Sequence, residues 1–408
     1  MKILFVSSSF HGGGISAYAL EVINCFKAEH DISVIIGDDS RSPLTGVKVY
    51  HYETKNTSFD NACKILNLIV NDIKPDVIIN SFGVVIPLII PYLPDSIKVI
   101  SVSHSLRYNE ADVAGINAKY ADHVIALSNY NAQYLKKTFH IESSKISVLY
   151  NCVEDVLKAD TSSIEQKKKN TPLNIVFAGG TTAAKSPEIV FHVMKELSKT
   201  EASFKFYFMG VMTPTLSKVQ PFKSVSDLYS FDSRFVFTGR IPREEAMKIM
   251  REANIFLIPS RREGCPMALL EAMRYGTIVI TSDFHNACSE MITNDENGLV
   301  IPHNKLSAFK DTILDIVNNH EKYYDLYNNC YHSYLNNYSV PVWQSRMNEI
   351  INHSVLTHKK RKSKIEKMSY MLDLMRMRFR FRYNKLHIFF NEELRAARYF
   401  AKEYYRNK

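Results

Sequence analysis

Several signatures that would decide a function quickly are missing from this chain. Its six cysteines, Cys25, Cys63, Cys152, Cys265, Cys288 and Cys330, include no C-x-x-C pair, which argues against a zinc knuckle or a disulfide framework and fits a reducing cytoplasm. The opening "MKILFVSSSFHGGG" lacks the basic start and cleavage site of a secretory leader, so it reads as a strand followed by a glycine-rich loop. The most apolar stretch, "VVIPLIIPYL" at 84–93, is interrupted by Pro87 and Pro91 and is shorter than the ~20 residues a spanning helix needs. No D-x-D pair suggests a bound metal; Asp38 and Asp39 in "GDDS" are adjacent and read as a solvated turn. Gly12, Gly13 and Gly14 lack the G-x-G-x-x-G spacing, so a nicotinamide or flavin site is not the expectation.

What is present begins with size and charge. A chain of 408 residues exceeds the length at which one hydrophobic core usually stops growing, so two domains are expected. The net charge of +9 is unevenly spread: residues 355–408 hold 16 Lys or Arg against 5 Asp or Glu, a net of +11, which leaves −2 for everything before them. The body therefore has the charge of an ordinary soluble globule, and the last 54 residues are a separate electrostatic object.

Apolar β-rich runs alternate with helical patterns along the body. In the first half these are "KILFVSS", "ISVIIG", "DVIIN", "KVISVSH", "HVIALS" and "ISVLYN"; in the second, "NIVFAGG", "KFYFMG", "FVFTG", "IFLIPS", "TIVITS" and "GLVIP". This rhythm predicts βαβ units, and hence an α/β chain of two doubly wound, Rossmann-like domains facing a ligand-binding cleft. The expected boundaries are 1–153 for the first domain, 154–172 for a polar linker, 173–335 for the second domain, 336–353 for a helix crossing back to the first, and 354–408 for a basic, aromatic-rich tail. In that tail "MRMRFRFRY" alternates with period two, whereas "EELRAARYFAKEYY" is helical in propensity.

The stretch "PSRREGCPMALLEAMRYGTIVITSD", residues 259–283, places Glu263 in a loop before a helix and Glu271 on that helix, with Pro266 at the helix start. A helix N-terminus behind a parallel strand offers unpaired N–H groups to a phosphate, and a loop carboxylate beside it can accept hydrogen bonds from sugar hydroxyls. Alone, the pair carries little. Around it, however, stand Pro259, Ser260, Gly264, Pro266, Leu270, Ala272, Met273 and Gly276, followed by Glu290, Asn297, Gly298, Leu299 and Pro302. In that order they resemble the donor-binding domain of the retaining glycosyltransferases of family 4, which have the GT-B fold and an E-x7-E motif. The N-terminal "FHGGGISAYALEVI", "SVSH", "YADHVIALSNYNAQYL" and "KISVLYNCVE" are similar to the family's other half. The resemblance runs from about residue 1 to about 353.

It implies transfer of a sugar from a nucleotide-diphosphate donor to an acceptor hydroxyl with retention of configuration, in synthesis of a bacterial surface polysaccharide such as lipopolysaccharide or capsule, or of a lipid-linked glycan. Carried over position by position, it implies Glu263, His104 and Lys185 as catalytic. It implies donor contacts from Gly13, Gly14, Gly180, Lys185, Arg240, Gly264, Cys265, Pro266, Met267 and Glu271. Glu263 would hold sugar hydroxyls, Glu271 the ribose, Lys185 the diphosphate and His104 the donor sugar. The family's usual arginine four or five residues before Lys185 is replaced by Gly179, Gly180 and Thr181, leaving Arg240, Arg261 and Arg262 as candidate substitutes. The "GG" before the late glutamate is changed to Asn286 and Ala287. With cationic groups serving the diphosphate, no cofactor and no metal is expected. The expected partners are a nucleotide-sugar, a glycan or lipid-linked acceptor, and an anionic membrane surface contacted by residues 355–408. No nucleic acid is expected, and the location is cytoplasmic, peripheral on the inner face of the cell membrane. Two other readings of the same fold are a non-catalytic scaffold and a nucleotide-sugar epimerase; the second leaves the two glutamates unexplained.

Overall fold

The computed structural model describes residues 1–10, 14–37, 44–104, 108–153, 161–210, 233–353, 361–362 and 364–388. The chain divides into two compact units, one formed by Met1–Val153 with Val340–Lys385 and the other containing Glu154–Ser339.

In the first unit seven strands form one sheet: β1 (Lys2–Ser7), β2 (Asp31–Ile36), β3 (Lys48–His51), β4 (Val77–Asn80), β5 (Lys98–Ser103), β6 (His123–Ala126) and β7 (Ile146–Val148). Their order is β3-β2-β1-β4-β5-β6-β7, and all neighbours are parallel, with Phe5 opposite Val34 in β2 and opposite Ile79 in β4. Continuous Val and Ile runs such as "VIIN" are buried on both faces, as a parallel sheet covered by helices demands. The strand missing from the sequence reading is β3, a sheet edge whose four residues are half-buried or exposed and so carry little apolar signal.

The second unit repeats the plan with β8 (Leu173–Ala178), β9 (Phe204–Met209), β10 (Phe235–Gly239), β11 (Ile255–Ile258), β12 (Ile278–Ser282) and β13 (Leu299–Ile301). Here the order is β10-β9-β8-β11-β12-β13. Consecutive strands run outward from β8 on one side and from β11 on the other, so the switch point lies between these two. In open parallel sheets ligands bind beyond the carboxyl ends of the strands at that point. The two doubly wound domains of the sequence reading are therefore both present.

The stretch read as a polar linker with room for a helical turn, 154–172, falls within the second unit. Residues 154–160 lie outside the described residues, but Thr161–Lys167 is a helix of the second unit. Its Ile164 is buried in the core beneath the sheet. Lys167 is also buried, donating to the Tyr275 carbonyl at 2.6 Å and to Thr277 Oγ1 at 2.8 Å, and burial pushes its pKa down to about 7. The polar composition hid one apolar anchor and one lysine held by neutral acceptors.

After the second unit, helix Val340–His353 packs on helix Gly14–Phe26 of the first. Trp343 lies 5.7 Å from the Phe26 ring and 6.4 Å from Tyr18, and Gln344 Nε2 donates to the Cys25 carbonyl at 2.9 Å.

The described part of the basic tail is not a free extension. Lys367–Ile388 is a single helix, which replaces the period-two reading of 375–383. Tyr370, Leu374 and Met377 recur at helical spacing and are buried in the first unit's core with Phe381 packed against it. The unbranched Met and Arg side chains of that run are also good helix formers. Two ionic anchors fix this segment. Buried Arg361 donates to the carbonyls of Pro94, Ile97 and Tyr120 and pairs with Asp122 at 2.8 Å. Buried Asp112 accepts from Tyr134 at 2.6 Å, Asn384 at 2.9 Å and Arg380 at 3.1 Å. Residues 355–360 and 389–408 lie outside the described residues, and among the described ones no helix is long and apolar enough to cross a membrane.

Candidate active site

The second unit's switch point gathers most of the predicted residues. The chain leaves β8 through Gly179 and Gly180 and enters a short 3-10 turn, Ala183–Lys185, which ends on Ser186 in the left-handed conformation (φ 49°) before Pro187 opens the next helix. The chain leaving β11 forms the loop that carries Glu263 and then helix Met267–Arg274. The two loops are tied together: the amides of Arg261 and Arg262 donate to the Ala184 carbonyl at 2.8 and 3.2 Å. This registration brings Lys185 Nζ to 2.5 Å from Glu263 Oε1, both side chains being largely buried.

A third element holds the Glu263 loop from behind. Asn286 Nδ2 donates to the Ser260 carbonyl at 2.8 Å while its Oδ1 accepts from the Cys288 amide, capping helix Ala287–Met291. The Ala287 amide donates to the Glu263 carbonyl at 3.3 Å. The departure from the family's "GG" thus substitutes a capping side chain that braces the same loop. Cys265 and Met267 are buried, with Cys265 Sγ 4.0 Å from Met291 Sδ. Gly264 and Pro266 complete the turn into the helix.

Glu271 sits one turn into that helix and is buried. Burial raises its carboxyl pKa, opposed by the charges of Arg243 and Arg274; Arg243 Nη1 lies 3.1 Å from Glu271 Oε1. A cavity of about 390 Å³ opens beside it, lined by Gly179, Gly180, Gly210, Arg240, Met247 and Glu271 among others. Gly210 must be glycine: its φ is +152° and a Cβ there would stand 2.0 Å from the Gly179 carbonyl oxygen. Of the candidate replacement arginines, Arg261 is taken by Glu188 at 2.7 Å and lies over the Phe284 ring, whereas Arg240 faces the cavity that contains Glu271. Arg243, next to Pro242 at a helix start, went unnoticed in the sequence because a basic residue at a helix N-terminus has no motif of its own.

Two predicted residues belong to the first unit. Gly14 opens helix Gly14–Phe26, and Gly13 lies outside the described residues. His104, just after β5, is buried, with Nε2 2.8 Å from Ser81 Oγ and its ring 4.7 Å from that of Tyr18 in an edge contact. Burial lowers its pKa to about 3, and that of His123, beside Ser147 Oγ, to about 4. Both imidazoles are therefore neutral in the fold but protonated in the unfolded chain below its ordinary value of 6.5. Their contribution is complete above pH 6.5 and is lost as pH falls toward 3–4. Moving from pH 7 to pH 5 is expected to lower the first unit's stability by about 2 kcal/mol through His104 alone. Urea unfolding at the two pH values checks this, with His104→Gln giving a shallower dependence; identical midpoints at both would refute it.

Family models match both units. The description "Glycosyl transferases group 1" covers residues 159–333 and "Glycosyltransferase Family 4" covers 12–156. The chain belongs to glycosyltransferase family 4. Among curated proteins, this family-4 chain is 26% identical over 148 residues to the putative colanic acid biosynthesis glycosyltransferase WcaL of Escherichia coli K12, a match spanning 35% of each chain. It thus spans about a third of the length of that relative. The N,N'-diacetylbacillosaminyl-diphospho-undecaprenol alpha-1,3-N-acetylgalactosaminyltransferase of Campylobacter jejuni is 22% identical over 73% of this chain and 85% of its own. Among solved structures, HepE of Anabaena in complex with UDP-glucose superposes with a TM-score of 0.70 at 15% identity, covering 86% of this chain and 99% of that one. The shared fold is GT-B.

Proposed function

We propose that this family-4 chain is a retaining hexosyltransferase that moves a sugar from a nucleoside-diphosphate sugar, with UDP as the nucleotide, to the hydroxyl of a glycan or lipid-linked acceptor in surface polysaccharide synthesis. The observation that carries the reading is the convergence at one switch point of the Lys185–Glu263 pair with the cavity holding Arg240 and Glu271. Cleavage of the bond between the anomeric carbon and the diphosphate oxygen builds negative charge on the leaving group. Lys185, Arg240 and the first N–H groups of helix Met267–Arg274 are the groups suited to receive it. Glu263 accepts from sugar hydroxyls and Glu271 from the ribose. The acceptor oxygen bonds to the anomeric carbon on the face that the diphosphate leaves, and its proton passes to a phosphate oxygen. No metal is needed where these cations do that work. Nucleotides bound at HepE and the undecaprenol-linked acceptor in the Campylobacter enzyme's name support the choice of UDP and of a lipid-linked acceptor. A lipid-linked acceptor presents its hydroxyl at a bilayer surface, so peripheral membrane placement is part of the reading.

The experiment is a thermal-shift series with UDP, GDP, ADP and CMP in the presence of EDTA. UDP at about a hundred times its Kd is expected to add ~2.7 kcal/mol, a rise of several degrees that Glu271→Gln abolishes. If no nucleotide moves the wild-type midpoint, the donor reading fails.

A further inference from the structure

Helix Lys367–Ile388 is apolar on two opposite faces. The inner face, Tyr370, Leu374, Met377 and Phe381, is packed into the first unit. The outer face carries Met368, Leu372, Met375, Phe379 and Tyr383, whose spacings of four, three, four and four residues place them in one stripe over roughly a quarter of the circumference at ~100° per residue. These side chains are in the open, Met368 at 75%, Phe379 at 74%, and Met375 and Tyr383 at 63% exposure. Five large apolar groups in one exposed row mark an interaction surface.

The flanks of the row say what covers it. Arg376, 78% exposed at its side chain, and the exposed Arg378 and Arg382 border the stripe. The one acid of this helix, Asp373, accepts from Asn117 on one oxygen and lies 3.3 Å from Arg376 on the other, an exposed pair worth little in water, so Arg378 and Arg382 are the cations of the flanks without a carboxylate of this helix beside them. The fourth arginine of the helix, Arg380, is half-buried and pairs with Asp112 at 3.1 Å. At the start of the helix a groove of about 710 Å³, walled by Leu66, Val70, Tyr92 and Ile365, is bordered by Lys362 and Lys364. Two copies meeting through this face would set arginine against arginine, whereas an anionic bilayer supplies both the apolar layer for the stripe and phosphates for the cations.

We propose that the outer face of helix Lys367–Ile388 is a membrane-docking surface. It lies in the plane of an anionic phospholipid interface with Met368, Leu372, Met375, Phe379 and Tyr383 inserted and Arg376, Arg378 and Arg382 at the headgroups. The inner face and the Arg361 and Asp112 anchors make the helix a rigid part of the first unit, so docking fixes the orientation of that unit on the membrane. The inference deepens the membrane part of the reading above and rests on it.

The test is vesicle flotation of the full chain without substrate, using mixed phosphatidylcholine and phosphatidylglycerol vesicles and phosphatidylcholine alone, with Met375→Ser/Phe379→Ser and Arg376→Glu/Arg382→Glu as variants. All four positions are exposed, so the variants keep the wild-type thermal midpoint and UDP response. The wild type is expected to float with the anionic vesicles and not the neutral ones, and each double variant to bind at least about tenfold more weakly. Wild-type protein that stays unbound, or variants that float equally well, overturn the proposal. So does a concentration-dependent dimer that the serine variant abolishes without any vesicle binding. A missing UDP response with intact flotation counts against the donor reading alone.

Discussion

Replacing Arg361 by methionine is expected to cost the first unit about 3–5 kcal/mol, the loss typical of a buried ion pair deprived of one partner. The side chain is 1% exposed and Asp122 is fully enclosed, so no water can replace the guanidinium. Methionine retains most of the apolar stem, and the effect therefore isolates the polar contacts. Asp122 keeps the hydrogen bond from the Val99 amide at 2.8 Å but loses the guanidinium charge, and the carbonyls of Pro94, Ile97 and Tyr120 lose the donors that Arg361 supplies. A second substitution, Asp122→Asn, removes the stranded charge, and the double variant should recover part of the loss. Urea unfolding of the four proteins closes the cycle. A single-variant loss below about 1 kcal/mol would mean that Arg361 is incidental and that the segment is held by Tyr370, Leu374 and Met377 together with the Asp112 anchor.

That anchor also shows where the sequence stops being legible. The strands were readable because parallel sheets buried on both faces require unbroken Val and Ile runs, and Glu263 with Glu271 because their spacing recurs within a long ordered pattern. β3 was not readable, since an edge strand needs no such run. The extension was harder for a different reason: its basic residues suggested an anionic membrane surface for the whole stretch, yet Arg361 and Arg380 pair with Asp122 and Asp112, carboxylates more than two hundred residues earlier in the chain. Pairings across that distance have no local signal. The apolar residues of helix Lys367–Ile388 face two ways, so opposite stripes cancel in any single amphipathic pattern. At the site, the sequence offered Arg240, Arg261 and Arg262 as equal candidates for the missing arginine, and only the folded loops separate two of them, Arg240 lining the cavity with Glu271 and Arg261 being held by Glu188.

Lys185→Ala is expected to reduce kcat by about 10²–10³-fold, or roughly 2.7–4 kcal/mol, the range for removing one preorganised charge partner of a transition state. Lys185 Nζ and Glu263 Oε1 lie 2.5 Å apart. Without donor, Lys185 and Glu263 compensate each other in a partly water-excluded loop junction. With donor bound, the proposed roles separate them, the ammonium turning to the diphosphate and the carboxylate to sugar hydroxyls. Charge on the diphosphate grows as the glycosidic bond breaks, so the lysine's contribution is larger in the transition state than in the bound donor, and kcat should fall more than KM for the donor rises. Lys185→Arg should recover little, because a planar fork set for two oxygens does not reproduce a point charge on this short turn. A purely structural ion pair predicts something else: the single variants would lose stability, the neutral pair Lys185→Met/Glu263→Gln would regain it, and turnover would return with the fold. If the paired variant is as stable as wild type and still defective in kcat by the full factor, the charges act on the substrate; if its turnover comes within about tenfold of wild type, they do not.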